Sequence, residues 1–244
     1  MLVTVLVMGP ALGVMLIFDR GRRSYFLMAH AWAKLVIFLS GLRIEWEGLE
    51  KVPSGPCVFM ANHQSYFDAI SIGAYLPRPP RFVAKRVLTL IPIFGQLLIA
   101  TGHVIIDRGN PRQAFGALDR GAEKIRKGIS ILVFPEGTRS RDHRLGPFKK
   151  GGFVLALKAG APIVPVSVTG TRSMMPKGKF SFKRPKLVRV KIGEPIASSQ
   201  FDPAGKEKLI SEVRKAMIRG FGADTPEWKV NHVEIADPPG SNAA

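Results

Sequence analysis

Cysteine is almost missing from this chain. Of 244 residues only Cys57 is one, so no internal disulfide can form and no multi-cysteine zinc site can be built. A reducing compartment is the simpler setting for such a chain. Acidic residues are scarce as well: 18 Asp and Glu stand against 36 Lys and Arg, a formal net charge of +18. That excess implies polyanionic partners, whether nucleic acid, an acidic membrane surface or phosphorylated substrates, and composition does not choose among them. The low hydrophobicity of a disordered chain is not found here, since 46% of residues are hydrophobic and 9% aromatic. The length suits one domain, or one domain with an appendage, and allows a substantial core. No internal repeat or low-complexity tract is present.

Charge is absent from residues 1–18 altogether, and Asp19, Arg20, Arg22 and Arg23 follow at once. A second apolar run over residues 25–42 is broken only by His30, Lys34 and Ser40. In a secretory signal the positive charge precedes the apolar run, and a small-residue cleavage site follows it. Here the arginines come after, and no such site is evident. As a helix, residues 1–18 reach about 27 Å, just short of a hydrocarbon core of about 30 Å. Pro10 sits mid-run, where a helix interior loses about 3 kcal/mol. A single span is therefore marginal. Two apolar helices lying in one leaflet and joined at the arginine-rich turn suit the pattern better, with the arginines toward anionic headgroups on the cytoplasmic side. The alternative is a pair of core helices in a soluble protein, and the missing polar face of residues 1–18 counts against it. The expected organisation is an N-terminal apolar two-helix membrane-contact motif over residues 1–42, an α/β domain over 43–230 and a flexible tail over 231–244.

From residue 42 the hydrophobic period alternates between two and 3.6. Residues 42–47 and 187–192 alternate apolar and polar, as half-buried strands do. Residues 57–61 and 129–134 are short unbroken apolar runs that suit buried strands. Residues 81–84, 103–106 and 163–168 are further strand candidates. Asn110 and Pro111 read as the N-cap and first turn of a helix. Phe115, Leu118, Ala122 and Ile125 form its apolar stripe, and Gly128 is a natural stop. Leu209, Val213, Ala216 and Met217 mark a last helix ending at Gly220. Strands alternating with helices predict an α/β fold, a mixed β-sheet flanked by helices in three layers. Between Asp142 and Glu194 no acidic residue occurs, while twelve Lys and Arg do. That stretch is either solvated basic surface or a patch facing phosphates or anionic lipid.

Candidate chemistry sits where apolar strands end, the usual place for sites in open α/β sheets. Asn62-His63-Gln64-Ser65-Tyr66-Phe67-Asp68 directly follows the run 57–61. On one continuous helix His63 and Asp68 diverge by roughly 140°. They meet only if His63 lies in the loop and Asp68 in the first helical turn, and Ser65 as N-cap with Asp68 three residues on is a start of that kind. Asp68 then either merely caps the helix or accepts a ring N–H of His63. The second arrangement fixes the tautomer and leaves the other nitrogen as a base, worth about 10²–10⁴-fold. No Gly-x-Ser-x-Gly elbow is evident, so a serine acyl-enzyme is unsupported. The natural role for such a base is to deprotonate a substrate hydroxyl that attacks an acyl donor directly. Phe134-Pro135-Glu136-Gly137-Thr138-Arg139-Ser140 ends the run 129–134. Arg139 can fork onto a phosphate, Glu136 can hold a hydroxyl or orient the arginine, and Gly137 allows close backbone approach. A surface turn with a salt bridge fits the same residues. Arg108, after 103–106, is either a second phosphate ligand or half of an exposed pair with Asp107.

Taken together and in order, these segments resemble the blocks of the glycerolipid acyltransferase family. His63 to Asp68 matches its His-x₄-Asp block, and Lys85 through Pro92, Gly95 and Gly102 to Arg108 resembles the second. Phe134 to Ser140 matches the third, and residues 148–151 and 164–170 match the segments leading into and forming the fourth. Two departures stand out: Lys85-Arg86-Val87-Leu88 where many members have Lys-x-Glu-Leu, and Ile105 where many have Phe. The resemblance implies that His63 is the general base and Asp68 its orienting partner. It places Lys85, Arg108, Glu136, Gly137, Thr138 and Arg139 around the acceptor's phosphate and glycerol. The implied reaction moves a fatty acyl group from acyl-CoA or acyl-carrier protein to the sn-2 hydroxyl of 1-acylglycerol 3-phosphate. Phosphatidic acid is the product, and neither metal nor cofactor takes part. Glycerol 3-phosphate or lyso-ornithine lipid is the alternative acceptor. The implied partners are a lysophospholipid, the acyl donor and an anionic membrane surface, with the catalytic domain on the cytoplasmic face. A nucleic-acid-binding protein is the competing class, disfavoured by the few aromatics among residues 143–193 and by the apolar residues 1–42. A non-catalytic membrane adaptor is another, disfavoured by the intact His63 and Asp68.

Overall fold

The apolar runs become strands of one sheet. A computed structural model of the protein describes residues 23–107, 109–140, 144–174, 187–202 and 205–222. Helix α1 (Arg23–Ser40) precedes strands β1 (Ile44–Glu47) and β2 (Val58–Ala61). Helix α2 (Tyr66–Tyr75) leads to β3 (Arg81–Lys85), a 3-10 turn over Arg86–Leu90 and helix α3 (Phe94–Ala100). Then come β4 (Val104–Ile106), α4 (Pro111–Arg126), β5 (Ile131–Val133) and α5 (Gly151–Ala159). Strands β6 (Ile163–Thr169) and β7 (Val188–Ile192) and helix α6 (Lys206–Phe221) follow. The sheet order is β1-β7-β6-β2-β5-β3-β4. β6 and β7 pair antiparallel, and every other neighbouring pair is parallel. The architecture is the mixed sheet with flanking helices that the alternating periods predict.

Burial explains why the central runs are unbroken. Every residue of β2, β5 and β6 is buried, as strands covered on both faces require. Successive side chains of β2 point to opposite faces. Phe59 joins one core with Ala33, Val36 and Ile37 of α1 and Phe67 and Ile70 of α2. Met60 joins the other with Leu118 and Ile125 of α4, Leu155 of α5 and Met217 of α6. The His30 ring nitrogen Nε2 donates to the Leu76 carbonyl at 2.9 Å, tying α1 to the end of α2. The second N-terminal apolar run is thus a helix with one face in the core, while Leu27, Phe38 and Leu39 stay exposed. Among the described residues no helix is long and apolar enough to cross a membrane. Residues 1–22 and the tail over 231–244 lie outside the described residues.

Three expectations change. Phe115 is not part of the buried stripe of α4 but 59% exposed. The buried face begins at Ala117 and Leu118, because the first turn and a half of α4 runs past the packed layer. Gly220 does not end α6, which continues to Phe221. A Cβ at Gly220 would stand 2.2 Å from the Ser167 hydroxyl, so glycine there lets α6 approach β6. Part of the acid-free stretch is paired surface. Lys150 meets Glu207 at 2.6 Å, Arg189 meets Glu45 at 3.2 Å, Lys191 meets Glu47 at 2.6 Å, and Lys158 meets Asp119. All four carboxylates come from outside the stretch.

Candidate active site

The parallel strands β6, β2, β5, β3 and β4 deliver their C-terminal ends to one edge of the sheet. His63 follows β2, Glu136 to Ser140 follow β5, Lys85 closes β3, Asp107 follows β4 and Thr171 follows β6. The edge is reinforced where the His63 loop departs. Asn62 is fully buried, and its side-chain amide donates to the Val168 carbonyl at 2.8 Å while its oxygen accepts the Val168 N–H at 2.7 Å. This amide copies a backbone and extends the β2–β6 pairing one residue beyond the strand.

His63 Nδ1 stands 2.9 Å from Asp68 Oδ2. Asp68 is completely buried, and its Oδ2 also accepts the backbone N–H groups of Gln64 at 2.6 Å and Ser65 at 2.8 Å. Its Oδ1 accepts the hydroxyl of Thr171. Four donors converge on a carboxylate that only accepts, so Nδ1 carries the ring proton and Nε2 keeps its lone pair. Ser65, with φ −146°, is the N-cap of α2, and its hydroxyl accepts the Phe67 N–H at 3.4 Å. One carboxylate therefore both completes the helix cap and accepts the ring N–H of His63. The imidazole lies flat on Phe134, with centroids 4.0 Å apart and planes 17° from parallel. Its side chain keeps 18% exposure.

The segment after β5 clasps the His63 backbone. Glu136 Oε1 accepts the His63 N–H at 2.8 Å, and the His63 carbonyl accepts the Ser140 N–H at 2.8 Å. Glu136 Oε2 accepts the Gly146 N–H at 3.0 Å. Both oxygens of Glu136 thus serve the loop, and burial pushes its carboxyl above the usual carboxylate range. Gly137 sits at φ +74° and closes a turn by donating to the Phe134 carbonyl at 2.9 Å, a conformation that favours glycine. Thr138 is exposed at the rim. Arg139 lays its guanidinium 4.1 Å above the ring of Tyr66, the first residue of α2. That contact brings the arginine to the first turn of α2, which carries Asp68.

Lys85 is exposed at the end of β3, two strand spacings from β2 and so about 10 Å across the sheet. Arg86 pairs with Asp107 at 3.1 Å. Arg108 itself lies outside the described residues. Three supporting residues escape sequence reading. Thr171 follows Gly170, whose φ of +87° and missing Cβ allow the chain to pass the Leu187 carbonyl. Arg214 of α6 donates to the carbonyls of Gly146 at 2.7 Å and Leu145 at 2.8 Å, bracing the loop segment that Glu136 holds. Phe134 supplies the stacking platform. The one available signal was positional: a hydroxyl just past a buried parallel strand reaches the same edge as His63.

A buried Asp, a His that it holds through Nδ1 and an arginine stacked on Tyr66 gather where the parallel strands end. The chain belongs to the acyltransferase family, whose model matches residues 43–169. It is 40% identical over 190 residues to the chloroplastic 1-acyl-sn-glycerol-3-phosphate acyltransferase of Brassica napus, covering 77% of this chain and 55% of that protein. It is 34% identical over 219 residues to the 1-acyl-sn-glycerol-3-phosphate acyltransferase of Pseudomonas aeruginosa, covering 87% and 84%. The crystal structure of the 1-acyl-sn-glycerophosphate acyltransferase of Thermotoga maritima superposes with a TM-score of 0.75 at 29% identity, covering 89% of this chain and 92% of that one. The chain spans about half the length of its chloroplastic Brassica relative.

Proposed function

We propose that this protein transfers a fatty acyl group from acyl-CoA or acyl-carrier protein to the sn-2 hydroxyl of 1-acylglycerol 3-phosphate, forming phosphatidic acid. The observation that carries this reading is the His63 ring, held by Asp68 through Nδ1 while its side chain keeps 18% exposure. Nε2 takes the proton of the acceptor hydroxyl as its oxygen attacks the thioester carbonyl carbon. The carbon–sulfur bond then breaks, and the thiolate leaves with the proton returned to sulfur. Arg139 and Lys85 hold the acceptor phosphate, with Arg108 as a further ligand, and Thr138 and Gly137 border it. Arginine suits this task because its fork matches phosphate oxygens. Glu136 acts from behind by fixing the His63 backbone. The acceptor lies in a bilayer, so the protein works at an anionic membrane surface, on the cytoplasmic face. The similarity to 1-acyl-sn-glycerol-3-phosphate acyltransferases supports the acceptor class.

The test is an acyl-transfer assay on purified protein with radiolabelled palmitoyl-CoA and palmitoyl-carrier protein. The acceptors are 1-acylglycerol 3-phosphate, glycerol 3-phosphate and lyso-ornithine lipid. Preferential labelling of phosphatidic acid is the expected result, and a preference for another acceptor overturns the assignment.

A further inference from the structure

The crossover from β3 to β4 displays apolar side chains that the fold has no use for. Val87 is 61% and Leu90 77% exposed, and Ile91 is exposed beside them. Arg86 ties the 3-10 turn to the residue after β4 and to the start of α4, contacting Asp107 at 3.1 Å and Gln113 at 3.4 Å. The segment is built to hold its shape. A Cβ at Gly95 would stand 2.1 Å from the Thr89 carbonyl oxygen, so the turn and α3 are in backbone contact. The Phe94 N–H donates to the Pro92 carbonyl at 2.7 Å across Ile93 at φ +64°, a tight γ-turn. A monomeric soluble protein seldom gathers such residues at one place without a partner.

We propose that Val87, Leu90 and Ile91 form a rim that inserts into an anionic bilayer surface beside the catalytic edge, a membrane contact separate from residues 1–42. Two observations choose a bilayer over another protein. The rim is flanked by the exposed cations Lys85 and Arg112, and the carboxylate of Asp107 beside it is paired with Arg86. Basic residues next to short apolar side chains match the headgroup and upper acyl layers of an anionic leaflet. The rim also stands on the strand edge that carries His63, so seating it brings the leaflet surface to the base. This second argument rests on the reading that the acceptor is a bilayer lipid; the charge argument does not.

The experiment places an environment-sensitive fluorophore on Leu90→Cys. Cys57 does not compete, because it is buried and burial pushes its thiol up to about 11. Vesicles of phosphatidylglycerol and phosphatidylcholine in equal parts should shift the emission to the blue, and pure phosphatidylcholine should shift it less. Val87→Glu with Leu90→Glu should weaken binding to the mixed vesicles by roughly tenfold or more, since each buried apolar side chain is worth about that factor. The same double variant should transfer to a monomeric short-chain acceptor at the parent rate. A label that stays in water on vesicle-bound protein overturns the proposal. So does a label already shielded without vesicles, which would mean that another part of the chain covers the rim. The vesicle readout needs no turnover, so a failed transfer assay leaves this result distinct.

Discussion

Thr171 and Asp68 lie 103 residues apart in the chain, and the Thr171 hydroxyl donates to the buried Asp68 carboxylate that orients His63. β6 and β2 run parallel as neighbours, so the residue past one strand end meets the helix that follows the other. With Oδ1 held by Thr171, Oδ2 is left aimed at Nδ1.

Thr171 is therefore a positioning residue. Thr171→Val keeps the shape and removes the donor, leaving an oxygen of a buried carboxylate short of a partner at about 1–3 kcal/mol. We expect kcat to fall about tenfold or more with both KM values near the parent's, and Thr171→Ser to restore it. Steady-state kinetics of the two variants check this. Equal losses in both would assign Thr171 to packing alone.

Glu136 separates two roles by the same kind of split. If it fixes the His63 backbone, Glu136→Ala lowers kcat and spares the acceptor KM. If it held an acceptor hydroxyl, the acceptor KM would rise. The geometry predicts the first, because both carboxylate oxygens are occupied by the His63 and Gly146 amides.

Arg139→Ala should raise the acceptor KM by roughly ten- to a hundredfold, the weight of a charge-assisted phosphate contact. The donor KM should change much less. The reverse pattern would give this arginine to the donor's phosphates.

The strands were legible because burial on both faces demands unbroken apolar runs, as in β2 and β6. The His63–Asp68 pair was legible because capping chemistry and chain order constrain it within six residues. What joined Glu136, Thr171 and Arg214 to that pair was not, since contacts across 73, 103 and 68 residues leave no local period. Phe115 had the angular position of a core residue, and only the length of the packed layer decided otherwise.

Folding carries its own pH signature. His103 is buried, stacks on Phe82 at 5.2 Å and accepts the Phe82 N–H on Nδ1 at 2.7 Å. Burial, aided by Arg81, depresses it from 6.5 to about 3. The unfolded chain then binds a proton that the folded chain refuses, so stability falls as pH drops from about 6.5 toward 3. The slope is up to about 1.4 kcal/mol per pH unit. His103→Asn, whose side-chain oxygen can accept the same N–H, should flatten it. Urea midpoints between pH 4 and 7, a window set by that depression, compare the two.

The most direct measurement is the turnover of folded His63→Ala protein with 1-acylglycerol 3-phosphate and acyl-CoA. With Asp68, Thr171 and Glu136 all arranged around one imidazole, removing it should cost about 10²–10⁴-fold in kcat. The thermal transition should stay close to the parent's. Turnover within about tenfold of the parent, below the smallest contribution of a general base, would contradict the account.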